Sequence, residues 1–206
     1  QAVTHSELTE ALARQQPLRL GAVAWGLAET GWSQGRRTVD FYDIKGDLEA
    51  LFAPEPLTFT RSDHPALHPG RAATVWWRGQ PIGVIGELHP RWARFWELKP
   101  APVVFEVALA ATLARAKPVH RRLSRQPMVV RDLAFLVPQP VAVADLIAAV
   151  RANAPQWLQA VWIFDCYQGS LLPEGMKSVA LRLQWQHEER TLTDAEIDEA
   201  VAAVVA

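Results

Sequence analysis

The sequence predicts an α+β protein of two consecutive domains. Three observations carry the prediction: short strand-like apolar runs alternate with stretches of helical period, a glycine-containing loop links two such runs as a hairpin, and the texture changes at Ala114–Arg122, a polar stretch with proline and paired arginines. A chain of 206 residues, half of them apolar, has material for two small cores. The boundary falls at Pro118, giving domains over residues 1–117 and 118–206.

In the first domain, Leu18–Leu27 reads as a strand and Gly31–Arg37 as a loop. Asp40 then precedes Phe41, Ile44, Leu48, Leu51 and Phe52, whose spacings of three and four place one apolar stripe on a helix. Asp40 is its N-cap, the carboxylate accepting from first-turn amides. Gly46 inside that helix implies close packing or an irregularity, and Pro54 and Pro56 end it. Leu57–Arg61 is a short strand, and His64–Gly70 is rich in turn formers. Ala72–Trp77 and Pro81–Leu88 flank Arg78-Gly79-Gln80 as a β-hairpin. Pro90 opens a helix through Trp92, Phe95 and Trp96, since proline lacks only an amide hydrogen that would be unpaired there. Val103–Leu109 returns as a strand.

In the second domain, Val129–Val137 is a strand, and Val143, Leu146, Ile147 and Val150 form a helical stripe ending near Asn153. Leu158–Tyr167 is a second strand. Lys177–His187 is a third, in which Val179, Leu181, Leu183 and Trp185 alternate with Ala180, Arg182 and Gln184. Thr193 and Glu196 make a capping box ahead of Ile197, Ala200, Val201 and Val204. The order β-α-β-β-α is that of a ferredoxin-like domain, βαββα(β), short of its closing strand at Ala206.

A formal net charge of −1 gives no global sign of a nucleic-acid partner. The charge is uneven, however: Arg121, Arg122, Arg125 and Arg131 lie in an acid-free stretch, while Glu188, Glu189, Asp194, Glu196, Asp198 and Glu199 crowd the far end. No apolar run is long enough to cross a membrane as a helix. The lone Cys166 sits in an apolar run and reads as a buried, inert thiol. No Gly-x-Ser-x-Gly elbow and no Gly-x-x-x-x-Gly-Lys loop occurs, so no catalytic residue is assigned. His64 and His68 stand four apart with His89 further on, but Pro65 and Pro69 disfavour the helix that would align two imidazoles, so no metal site is assigned either. The tryptophans sit in apolar contexts that favour core packing over base stacking.

Val39–Leu51, His64–Ala73 and Ile85–Pro90 resemble consecutive motifs of the bacterial phenylalanyl-tRNA synthetase β subunit. Arg131–Phe135, Phe164–Gly169, Lys177–Leu183 and Arg190–Ile197 are similar to that family's terminal ferredoxin-fold anticodon-binding domain. The resemblance implies that the first domain is part of an inactive, class II synthetase-like antiparallel-sheet domain that packs against the α subunit. It further implies a cytoplasmic α2β2 ligase that joins phenylalanine to tRNA(Phe) with ATP and magnesium on the α subunit, with no cofactor in this fragment. The family's editing and metal-associated modules are expected to precede Gln1 and are not carried over.

Strand alternation suggests where RNA would sit. Val179, Leu181, Leu183 and Trp185 should face the helices, leaving Ala180, Arg182 and Gln184 on an open face; on the first strand Asp132, Ala134 and Leu136 should share it. The candidate RNA-binding residues are therefore Arg131, Asp132, Ala134, Arg182 and Gln184: arginines for phosphate or stacking, Asp132 for a guanine edge, alanine for a flat floor. The opposing reading makes Asp132 and the arginines a structural ion pair. Two rival functions stay open, a purely structural subunit-assembly module and a small-molecule-binding domain, the latter disfavoured because an open sheet offers no enclosed pocket.

Overall fold

The computed structural model describes residues 16–28, 36–117, 119–120 and 123–205. They form two compact units that divide between Val119 and His120.

The first unit is built around a hairpin of β3 (Leu67–Trp77) and β4 (Gln80–Leu88). Trp77 pairs with Gln80, so Arg78 and Gly79 alone make the turn, both with positive φ (49° and 74°). That left-handed pair suits the right-handed twist of the flanking strands, and glycine supplies half of it without strain. The strands β1 (Arg19–Ala24), β2 (Thr58–Arg61) and β5 (Val103–Ala108) complete an antiparallel sheet ordered β1-β5-β4-β3-β2. β3 begins at Leu67, within the stretch read as turns: Leu67 pairs with Leu88, and regular pairing resumes at Ala72 opposite Gly86 after a register shift. Pro69 is tolerated within the strand because the irregularity spans it.

Helix α1 (Phe41–Phe52) starts where the sequence predicts. Asp40 accepts from the amides of Tyr42 and Asp43, and Asp43 accepts from the amide of Asp40, a reciprocal capping box. Arg37 fixes the Asp43 carboxylate with two bonds of 2.7 and 2.5 Å. The α1 residues Ile44, Leu48 and Phe52 are buried in one core with Val75, Trp77, Ile85, Val103, Phe105 and Val107 of the sheet. Gly46 does not reflect close packing, because a β-carbon there would meet nothing within 4 Å. Two short helices, α2 (Pro90–Phe95) and α3 (Leu109–Leu113), follow β4 and β5. The proposed loop Gly31–Arg37 lies mostly outside the described residues.

The second unit has the predicted βαββα order: β6 (Val129–Pro138), α4 (Val143–Asn153), β7 (Leu158–Tyr167), β8 (Met176–Trp185) and α5 (Asp194–Val205). Its antiparallel sheet is ordered β6-β8-β7, with β8 central. Every second residue of β8 is buried, and Val179, Leu181, Leu183 and Trp185 are fully so. They form one core with Val150 of α4 and Ile197, Ala200 and Val204 of α5, so both helices cover the same face. Burying each valine, leucine or isoleucine of this core stabilises the fold by about 1.5–3 kcal/mol. Among the described residues, the opposite face carries no helix of this unit.

Candidate nucleic-acid interface

The uncovered face of the second sheet is set by register. Asp132 of β6 stands directly opposite Arg182 of β8, and Ala134 opposite Ala180. On the other flank, Trp162 of β7 stands opposite Arg182, Ala160 opposite Gln184, Asp165 opposite Ala180 and Tyr167 opposite Ser178. Cross-strand partners share a face, so these side chains form one surface with Arg182 at its centre.

Arg182 is held by two neighbours, the Asp132 carboxylate and the Phe164 ring. Its Nε donates to Asp132 Oδ1 at 2.7 Å and its Nη2 to Asp132 Oδ2 at 2.6 Å, and its guanidinium carbon lies 5.1 Å from the centre of the Phe164 ring. The structural ion pair and the candidate site are thus the same two residues. The hydrogen bonds from Arg182 hold the Asp132 carboxyl below its ordinary value, and those to Asp132 raise the guanidinium further. Both side chains remain 41% exposed, so the pair is accessible to a ligand and contributes little to stability. A bidentate fork fixes the orientation of the planar guanidinium and engages only its Nε and Nη2 donors. Ala134 and Ala180 form the low floor beside it. Gln184 lies one step along β8, its Nε2 against Met128 Sδ.

Arg131 does not join this group. It shares strand parity with Leu133 and Phe135 and stands opposite the buried Leu183, which puts it on the helix-covered side. There it donates to the Val130 carbonyl and lies 3.7 Å from Asp194 at the start of α5. The strict alternation that assigns Asp132 outward assigns its neighbour inward.

Sequence reasoning missed the flank on β7. Trp162, Phe164 and Tyr167 are between 39% and 49% exposed rather than in the core. The reason is tertiary: β7 is an edge strand, and its pairing shifts between Ile163 and Asp165, so Phe164 is an extra residue that breaks the alternation. An apolar run on an edge strand satisfies the pattern of a buried strand without being covered. For the same reason Cys166 is exposed, contrary to the buried thiol read from its neighbours. Trp25 and Trp96 are likewise exposed, whereas Trp77 and Trp185 are buried.

The histidines act on the backbone. Nδ1 of His64, His68 and His89 each accepts from the amide two residues on, in Ala66, Gly70 and Arg91. Among the described residues, no three His, Cys, Asp or Glu side chains converge as a metal site, and no helix is long and apolar enough to cross a membrane.

Comparison with known proteins matches both units. Residues 2–109 fit the model of the phenylalanyl tRNA synthetase beta chain CLM domain, and residues 124–206 fit that of the ferredoxin-fold anticodon binding domain. The chain is 47% identical over 192 residues to the phenylalanine–tRNA ligase beta subunit of Aromatoleum aromaticum, covering 93% of this chain and 24% of that protein. It is 46% identical over 192 residues to the beta subunit of Thiobacillus denitrificans, again over 93% of this chain and 24% of the relative. The beta subunit of Dechloromonas aromatica is 44% identical over 191 residues, covering 92% and 24%. The chain thus spans about a quarter of the length of these curated relatives. With a family-specific model matched over most of the first unit and the anticodon-binding fold over the second, the chain belongs to the phenylalanyl-tRNA synthetase β-chain family.

Proposed function

We propose that the second unit binds the anticodon region of tRNA(Phe) through the open face of β6, β8 and β7, as part of a phenylalanine–tRNA ligase whose reactive chemistry, with ATP and magnesium, resides on an α subunit. The observation that carries the reading is the exposed surface around Arg182: a fixed cationic plane, a carboxylate able to accept from a base edge, an alanine floor and a flank of exposed aromatic rings. Unpaired bases stack on aromatic and guanidinium planes and are recognised by hydrogen bonds at their edges. Asp132, Ala134, Arg182 and Gln184 are the residues assigned to this contact, with Trp162, Phe164 and Tyr167 beside them. Arg131, on the other side of the sheet, is assigned at most to backbone phosphate.

The first unit serves as scaffold, an inactive sheet domain of class II synthetase type packed against the α subunit. Its exposed aromatic residues, Trp25, Phe95 and Trp96, support a protein contact there. The α2β2 assembly and a cytoplasmic location belong to the same proposal.

A photo-crosslinking amino acid at Ala180 in the assembled ligase tests the reading. Crosslinks to tRNA(Phe) are expected. Crosslinks to protein alone would overturn it and favour the second reading, a purely structural assembly module whose sheet face is covered by another chain.

A further inference from the structure

Gly169 follows β7 in the loop that leads toward β8, and its backbone does not need glycine. Gly175, later in the same loop, has φ +76°, a conformation that L side chains rarely adopt; Gly169 has no such positive φ. What excludes a side chain at Gly169 is Tyr167. A β-carbon built there would lie 2.6 Å from Cζ of the tyrosine ring, 3.2 Å from Cε1 and closer still to the hydroxyl oxygen. The phenol therefore lies across the bare α-carbon of Gly169. Tyr167 stands opposite Ser178, on the same face as Ala180 and Arg182, and remains 41% exposed. The ring is thus neither buried nor free to point anywhere, and the hydrogen at Gly169 decides how low it lies over the end of the strand.

We infer that Gly169 is a positioning residue for RNA: it lets the Tyr167 ring lie down at the edge of the open face, presenting a plane on which one unstacked nucleobase rests. This inference rests on the proposed RNA reading of that face. An added methyl group at Gly169 moves only the far end of an exposed side chain, so the fold tolerates it, while the stacking plane is lifted out of place. Base–aromatic stacking tolerates any base but depends on the plane being where the base arrives.

The test uses the 206-residue chain, the anticodon stem-loop of tRNA(Phe) and four proteins: wild type, Tyr167→Ala, Gly169→Ala and the double variant. Tyr167→Ala is expected to weaken binding by roughly five- to a hundredfold, the range of one lost base–aromatic stack. Gly169→Ala is expected to weaken it by roughly threefold or more, a part of that stack, and to add nothing in the Tyr167→Ala background. The chain has two tyrosines, so 3-fluorotyrosine labelling resolves them: the Tyr167 signal should shift in Gly169→Ala and the Tyr42 signal should not, with the thermal midpoint unchanged. If Tyr167→Ala weakens binding but Gly169→Ala binds as wild type, or costs the same in both backgrounds, the positioning role is overturned and the RNA reading survives. If Tyr167→Ala binds as wild type, the RNA reading of this ring falls, and the positioning role with it.

Discussion

Arg182 and Asp132, fifty residues apart in sequence, face each other across β8 and β6 and share two hydrogen bonds of 2.7 and 2.6 Å at the centre of an uncovered sheet face. An ion pair exposed on both sides adds little to stability. Its effect is geometric: each side chain, alone a flexible charge, becomes a fixed plane.

The two residues are therefore expected to fail differently. Arg182→Ala should lower affinity for tRNA(Phe) by roughly tenfold, the cost of one base or phosphate contact, and flatten the salt dependence of binding. Asp132→Ala releases an unpaired cation, so binding to non-cognate RNA should rise and discrimination fall. Thermal midpoints should barely change in either variant. Filter binding of cognate and non-cognate tRNA at several salt concentrations measures this; wild-type affinity and discrimination in both variants would remove the pair from the RNA contact.

Neighbouring positions on β8 should separate folding from binding. Leu181 is fully buried against α4 and α5, so Leu181→Ala should destabilise the second unit by about 2–5 kcal/mol, as a cavity opens. Ala180 lies one residue away on the open face, so Ala180→Glu should leave denaturant unfolding nearly unchanged while charge repulsion weakens tRNA binding. Equal loss of stability in both would contradict the facing assigned to the strand.

Both capping boxes should make acid stability depend on an arginine. Arg190 bonds to Glu196 with contacts of 2.9 and 2.5 Å, and the Thr193 amide adds another, so the Glu196 carboxyl is lowered from 4.5 to about 2. Asp43 is lowered from 3.8 to about 2, first by Arg37 and then by the Asp40 amide. A depressed carboxyl pKa stabilises the folded state above the ordinary value and loses that contribution as pH falls toward the folded one. Stability should therefore decline from about pH 4.5 down to about 2 through these groups. Glu196→Gln should lower stability at pH 6 and flatten that slope, as followed by circular dichroism during thermal melts; a parallel slope in the variant would show that Glu196 carries none of it.

The order of elements in both units was legible because hydrophobic period and caps act locally. Asp40 and Thr193 each mark a helix start by bonding within four residues, and the alternation of β8 identifies its buried side without knowledge of any partner. The same alternation placed Arg131 with Leu133 and Phe135, a signal present in the sequence but outweighed by the arginine's chemistry. The flank of the candidate site was not legible. Whether Trp162 and Phe164 are core or surface depends on β7 being an edge strand with a shifted pairing, and neither property is written in β7 itself.

The sequence by itself determined the two sheet-and-helix units, the inward face of the central strand and the family, because periodicity, capping and motif order reside in neighbouring residues. Only the tertiary structure decided that Arg182 is already bonded to Asp132, that the β7 aromatics line the open face and that Tyr167 lies across Gly169. The first two arise from pairing between strands distant in the chain, and the last from packing at a distance of one atom, where neither residue alone signals the contact.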